Sequence, residues 1–188
     1  MRHFIIASLW CAASLLPGLT QAGDTAPPPP DGYRMSHYRA PTPAQLPGAQ
    51  RIDALALAAR LQRETLLLID VMPANRINDA DGVSRWLPAQ PRQHLAGSVW
   101  LPNVGQGAPE AGIEAWFASE LDRLSAGNRD VPLVFYCLRD CWMSWNAGKR
   151  ALALGYRQVL WFADGSDGWR DAGLALVDAT PQPYVPPR

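Results

Sequence analysis

Apolar positions fall into a regular period from Ile52 onward, and unbroken apolar runs then alternate with helically spaced ones as far as Val177. Asp53 stands where it can cap a helix carrying Leu55, Leu57, Ala58 and Leu61. The next run, Leu66 to Val71, is apolar except for Asp70 and has the character of a parallel-sheet strand buried on both faces; Pro73 ends it. Residues 73 to 93 are polar, scattered with Asn, Asp, Gly and Pro, and read as a long loop. Val99, Trp100 and Leu101 form a short strand stopped by Pro102. Pro109 suits the first turn of a helix whose apolar face is Ile113, Trp116, Phe117, Leu121 and Leu124, with Gly127 at its end. Leu133 to Tyr136 is a strand, Ser144 is placed to cap a helix through Ala147, Ala151 and Leu154, and Gly155 closes that helix. Val159 to Phe162 is a further strand, and residues 167 to 172 allow a last short helix. Alternating strands and helices imply βαβ crossovers, so the expected fold is α/β with a mainly parallel central sheet flanked by helices.

The ends of the chain read differently. Met1, Arg2 and His3 precede an apolar run from Phe4 to Leu19, and Ala22 offers a cleavage point, the pattern of a signal peptide spanning residues 1 to 22. As a retained membrane span this run is short and contains a Pro, and Trp10 is too bulky to precede a lipid-modified Cys11. Residues 23 to 50 are Pro-rich and poor in aliphatic side chains, an arm that forms no core element. It is either a spacer or a segment laid along the domain through Tyr33, Met35 and Tyr38. The domain is expected at residues 51 to 178, followed by a Pro-rich tail from 179 to 188.

Composition narrows the possible partners. With 17 Lys+Arg against 17 Asp+Glu among 188 residues, the chain lacks the basic excess that nucleic acid or an anionic membrane would demand. It carries three cysteines, and removal of residues 1 to 22 would take Cys11 and leave the pair Cys137 and Cys141 in an oxidising compartment, read as a bacterial periplasm.

That pair carries the candidate chemistry. Cys137 ends a strand and is followed by Leu138, Arg139, Asp140, Cys141, Trp142 and Met143 before the next helix. In open α/β sheets the reactive crevice lies at the carboxyl ends of strands. Loop amides and a helix N-terminus there favour a thiolate, with Arg139 as an added positive charge. The alternative for Cys137 is a small buried hydrophobe.

Several segments resemble the rhodanese-like domains. They are Leu68 to Val71 with its Asp70, His94 to Pro102, Phe135-Tyr136-Cys137, Gly155-Tyr156 with Val159, and Gly165 with Trp169, Gly173 and Leu174. The resemblance runs from about Ile52 to Val177. Cys137-x3-Cys141-Trp142, the leader, Gly32-Tyr33-Arg34 and Tyr38 to Pro41 narrow it to the periplasmic rhodanese-like proteins named for a cysteine–cysteine–tryptophan motif. Those proteins are associated with alcohol catabolism dependent on pyrroloquinoline quinone. The resemblance implies a single rhodanese-like domain and a Cys137 that takes a sulfane sulfur as a persulfide. It also implies a setting beside a periplasmic quinoprotein dehydrogenase or cytochrome. No site for the quinone or its metal is evident, and no bound cofactor or metal is expected.

The loop departs from the sulfur-transferring pattern. Asp140 stands where a Gly is usual, Trp142 and Met143 add bulk, and Ser144 comes one position late, so the family's substrate determinants do not carry over. Cys141 adds a second thiol that can attack a persulfide on Cys137 and leave a disulfide; a purely structural crosslink of so short a loop would stabilise little. Two further possibilities remain. Two thiolates suit copper(I), with His37 and His94 lying earlier in the chain. A non-catalytic module would instead use Trp142 and Trp145, with Trp86 and Trp100, as aromatic anchors for a partner.

Overall fold

The computed structural model describes residues 26 to 78 and 84 to 186; the expected signal peptide lies outside them. A five-stranded parallel sheet is built from β1 (Gln50–Arg51), β2 (Leu67–Asp70), β6 (Val99–Trp100), β7 (Leu133–Tyr136) and β8 (Val159–Phe162), in the order β1-β8-β7-β2-β6. Between them run α1 (Ala54–Leu61), α2 (Ile113–Ser125) and α3 (Trp142–Ala153), and α4 (Gly165–Asp171) follows β8. The α/β architecture is the expected one.

The strand period of two decides which helices lie on which face. On β7, Leu133 and Phe135 join the cluster with Ile113, Trp116, Phe117 and Leu121 of α2 and Ala147 and Ala151 of α3. Val134 and Tyr136 face the other way, into a cluster with Leu57 of α1 and Trp169 of α4. Cys137, next in line after Leu133 and Phe135, continues on the α2 and α3 face. α1 begins where its sequence indicates, with Asp53 accepting the Ala56 amide at 2.8 Å.

Four expectations are corrected. The loop from 73 to 93 contains β3 (Asn75–Asn78) and β4 (Ser84–Leu87), paired antiparallel, and β5 (Gln93–Leu95) starts at its end. A polar two-stranded ribbon with little buried surface leaves no alternating apolar pattern to read; Trp86 is held by stacking 5.7 Å from Trp116. α2 starts at Ile113, four residues after Pro109, because Gly112 at φ 85° breaks the helical path before it. α3 starts at Trp142 with Cys141 as its N-cap residue, so Ser144 lies inside the first turn. The Ser144 hydroxyl donates to the Cys141 carbonyl at 2.9 Å and accepts the Trp161 indole at 3.0 Å. Finally, the Pro-rich arm does contribute to the core. Leu46 is buried with Trp142, Trp145 and Trp161, and Gln50 pairs into the sheet.

The tail also packs. β9 (Leu176–Asp178) pairs with β5, Pro181 bridges Trp100, and Tyr184 lies 5.5 Å from Trp116.

Candidate functional site

β2 and β7 end side by side, with Asp70 in register with Tyr136. The chain beyond each end therefore converges, bringing Met72 from one strand against Cys137 from the other. The Met72 and Cys137 sulfurs are 3.7 Å apart. Beyond Cys137 the chain turns through Asp140 at φ 52° and enters α3, which returns Cys141 to the strand end. The two Sγ atoms stand 2.8 Å apart. Joining them at the roughly 2.05 Å of a disulfide requires a movement of less than about 1 Å. Both are free cysteines and both are buried.

The two thiols are not equivalent. Burial pushes the Cys137 thiol well above the ordinary range, and the neighbouring Cys141 adds to the rise. Cys141 is lowered, first by the hydrogen bond with Cys137 and then, against burial, by the Met143 and Leu138 amides. The thiol favoured toward ionisation is thus Cys141, whereas the sequence placed the stabilised thiolate on Cys137. The reason is positional: Cys141 is the N-cap residue and meets the Met143 and Leu138 amides, while Cys137 follows the strand end and its burial dominates.

Arg139 likewise lies away from the sulfurs. Its guanidinium reaches Asp171 at 2.7 Å and its amide donates to Asp167 at 3.1 Å, so it braces the loop against α4 and does not charge the thiol. Asp140 is exposed, and its carbonyl accepts the Ala40 amide at 3.1 Å. Trp142 and Trp145 are 2% and 0% exposed, too deep to serve as partner anchors. Their indoles donate to Pro41 and Gln45 of the arm. Trp100 is buried as well, leaving Trp86 half-buried. Leu138 and Met143 flank the cysteines in the wall of a cleft of about 500 Å³. Met72, Pro73 and Gln106 line it too, and Tyr38, Arg39 and His37 close one side. A larger cleft of about 590 Å³ adjoins it beyond Met72 and Leu138 but has neither cysteine in its wall.

Several residues of the site carry no local sequence signal. Arg92 lies in the stretch read as loop, yet it pairs with Asp70 at 2.9 Å and donates to the Cys137 carbonyl at 3.3 Å. Met72 is found only by following the strand-end rule to β2 as well as β7. The arm covers the cysteine loop as an added strand segment: Arg39 bridges Cys141, and the Trp142 amide donates to the Tyr38 carbonyl at 2.8 Å. His94 is buried, with Nδ1 3.7 Å from Asp70, and is not in the wall of the cysteine cleft. Among the described residues no group of three or more His, Cys, Asp and Glu side chains is assembled for a metal.

A model of the rhodanese-like domain family matches residues 53 to 172, and the chain belongs to that family. The chain is similar to the solution structure of the 30 kDa polysulfide-sulfur transferase homodimer from Wolinella succinogenes. Identity is 18% and the TM-score 0.43, over 72% of this chain and 82% of that one. No curated protein matches the chain.

Proposed function

We propose that the Cys137–Cys141 pair performs sulfane-sulfur and thiol–disulfide chemistry, and the observation that carries this is the 2.8 Å separation of two free sulfurs at a strand end of a rhodanese-like domain. Deprotonation of the pair is shared between two sulfurs in hydrogen-bond contact, with Cys141 the more acidic of the two. A proton shift to Cys141 frees the Cys137 sulfur as nucleophile. Attack on the outer sulfur of a donor such as thiosulfate forms the Cys137 S–S bond, breaks the donor's S–S bond and releases sulfite. Cys141 then attacks the inner sulfur of the persulfide, its proton leaving with the outer sulfur as HS⁻, and a Cys137–Cys141 disulfide remains. Two electrons from an external dithiol restore the pair. Without that attack, a thiol acceptor takes the outer sulfur directly.

The leader-like start and the cysteine–cysteine–tryptophan resemblance support a periplasmic setting beside quinone-dependent alcohol oxidation, with a quinoprotein dehydrogenase or its cytochrome as the protein partner. No helix among the described residues is long and apolar enough to cross a membrane.

The test is mass analysis of the reduced protein after incubation with thiosulfate. Cys141→Ser should trap one added sulfur atom on Cys137, wild type should pass on to the disulfide, and Cys137→Ser should take up none. Absence of an adduct in Cys141→Ser with thiosulfate, an organic persulfide and polysulfide alike rejects sulfur transfer.

A further inference from the structure

The cleft holds a third sulfur that the thiol chemistry leaves unused. Met72 places its thioether 3.7 Å from Cys137 Sγ, whose other neighbour is Cys141 Sγ at 2.8 Å. The backbone under this thioether is fixed on both sides. The Met72 amide donates to Asp70 at 3.1 Å, and its carbonyl accepts the Trp100 indole at 2.6 Å. Two thiols and a thioether therefore converge on one side of a cleft whose remaining wall is largely apolar, with Met143 in it.

From this arrangement we infer that the reduced protein binds one copper(I) ion through Cys137, Cys141 and Met72. Soft thiolate and thioether donors select copper(I) among the first-row metals. Zinc takes a fourth ligand in structural sites, and no such set with His, Cys, Asp or Glu exists among the described residues. A trigonal ion with bonds of about 2.3 Å, the length thiolates make to zinc, needs sulfur–sulfur edges of roughly 4 Å. The Met72–Cys137 edge of 3.7 Å is already close to that length, whereas the cysteine edge of 2.8 Å must open by about 1 Å. Binding takes both cysteines as thiolates and releases whatever protons they carry to solvent, so the filled site carries one net negative charge in a dry wall. The apolar surroundings and the covering arm limit access of water to the ion. Copper and sulfane sulfur would compete for the same two thiols, so the copper site does not depend on the sulfur chemistry proposed above.

The test titrates copper(I) under anaerobic conditions into the reduced, metal-free protein against the chelator bicinchoninate, followed by copper X-ray absorption. One ion per chain with three sulfur scatterers is the expected result. Met72→Leu conserves volume and should keep the fold, checked by circular dichroism. It should lose one sulfur scatterer and weaken binding by at least the about ten- to hundredfold that an outer-shell partner is worth. Met143→Leu should retain all three scatterers. Failure to compete with the chelator, or a Met72→Leu protein that keeps three sulfurs and the wild-type affinity, overturns the inference. Protein that loads sulfur from thiosulfate yet binds no copper(I) overturns this inference alone. Protein that binds copper(I) as described but never accepts sulfur supports it while rejecting the sulfur-transfer reading.

Discussion

Arg92 and Asp70 form a bidentate ion pair under the cysteine loop, Nε to Oδ2 at 2.9 Å and Nη2 to Oδ1 at 3.2 Å. The same guanidinium reaches the Cys137 carbonyl at 3.3 Å and the Ser166 hydroxyl at 2.9 Å. It thereby joins the ends of β2 and β7 to the start of α4. Asp70 is 0% exposed, so removing its partner strands a carboxylate in a dry interior. Arg92→Met should cost about 3–5 kcal/mol in urea unfolding. The double change Asp70→Val with Arg92→Met should cost less than the single one, because no buried charge is left. A single-variant loss below about 1 kcal/mol, the range of an exposed pair, would show that the network is solvated.

The unequal thiols should appear in a pH titration of the reduced protein followed by thiolate absorbance in the ultraviolet. One thiolate should form below the ordinary thiol value of about 8.5 and the second only well above it. In Cys137→Ala, Cys141 loses its strongest stabilising hydrogen bond and should titrate nearer the ordinary value. The linked stability follows in sign. The lowered Cys141 contributes stability that is fully present above its unfolded value and lost as pH falls through the folded one. The raised Cys137 contributes a loss that grows as pH rises past its unfolded value. Compared with the double Ser variant, the reduced pair should therefore be relatively most stable near pH ~8.5. Two thiols titrating together at that pH would remove the distinction.

Gly165 begins α4 at φ 55°, and a Cβ there would lie 2.5 Å from the Cys137 carbonyl oxygen and 2.7 Å from the Leu138 carbonyl carbon. Both obstacles are backbone, so the cysteine loop itself would have to move. Gly155 has φ 87° but open space around its would-be Cβ. Gly155→Ala should cost only the roughly 1–2 kcal/mol of left-handed strain, while Gly165→Ala should cost more and also shift the thiolate titration. Equal losses in the two variants would mean that the contact with Cys137 is not constraining.

Trp145 joins the arm to α3. Its indole donates to the Gln45 carbonyl at 3.1 Å, and the Lys149 ammonium, 5.1 Å from its ring, also bonds the carbonyl of Gly32 at 3.0 Å. Trp145→Ala should lower stability by about 3–5 kcal/mol and release the arm to cleavage by a nonspecific protease. An arm as resistant in the variant as in wild type would show that Trp145 does not hold it.

The central strands are legible in the sequence because β2, β7 and β8 are covered on both faces and are apolar but for Asp70, whose charge is paired. The pair Cys137 and Cys141 is legible for a related reason: a strand end followed by a helix start marks a crevice in any parallel α/β sheet. Asp53 could be read as a cap because capping is a local hydrogen bond. Ser144 could not be excluded as one, because the helix start is set by the turn through Asp140, and Asp140 at φ 52° leaves no trace in residue type. The β3 and β4 ribbon was hidden by its polarity, and the arm by its prolines, whose burial depends on tryptophans more than 90 residues away.

The order of apolar and polar residues determined on its own that this chain forms a parallel α/β domain and that two cysteines share one loop at its reactive edge, because those properties follow from local period and chain direction. Tertiary structure alone decided which thiol is the more acidic, that Met72 stands beside the pair, that Arg92 anchors the loop and that the arm covers it. Each of these rests on groups distant in sequence brought within a few ångströms, where burial, charge and hydrogen bonding act through space and not along the chain.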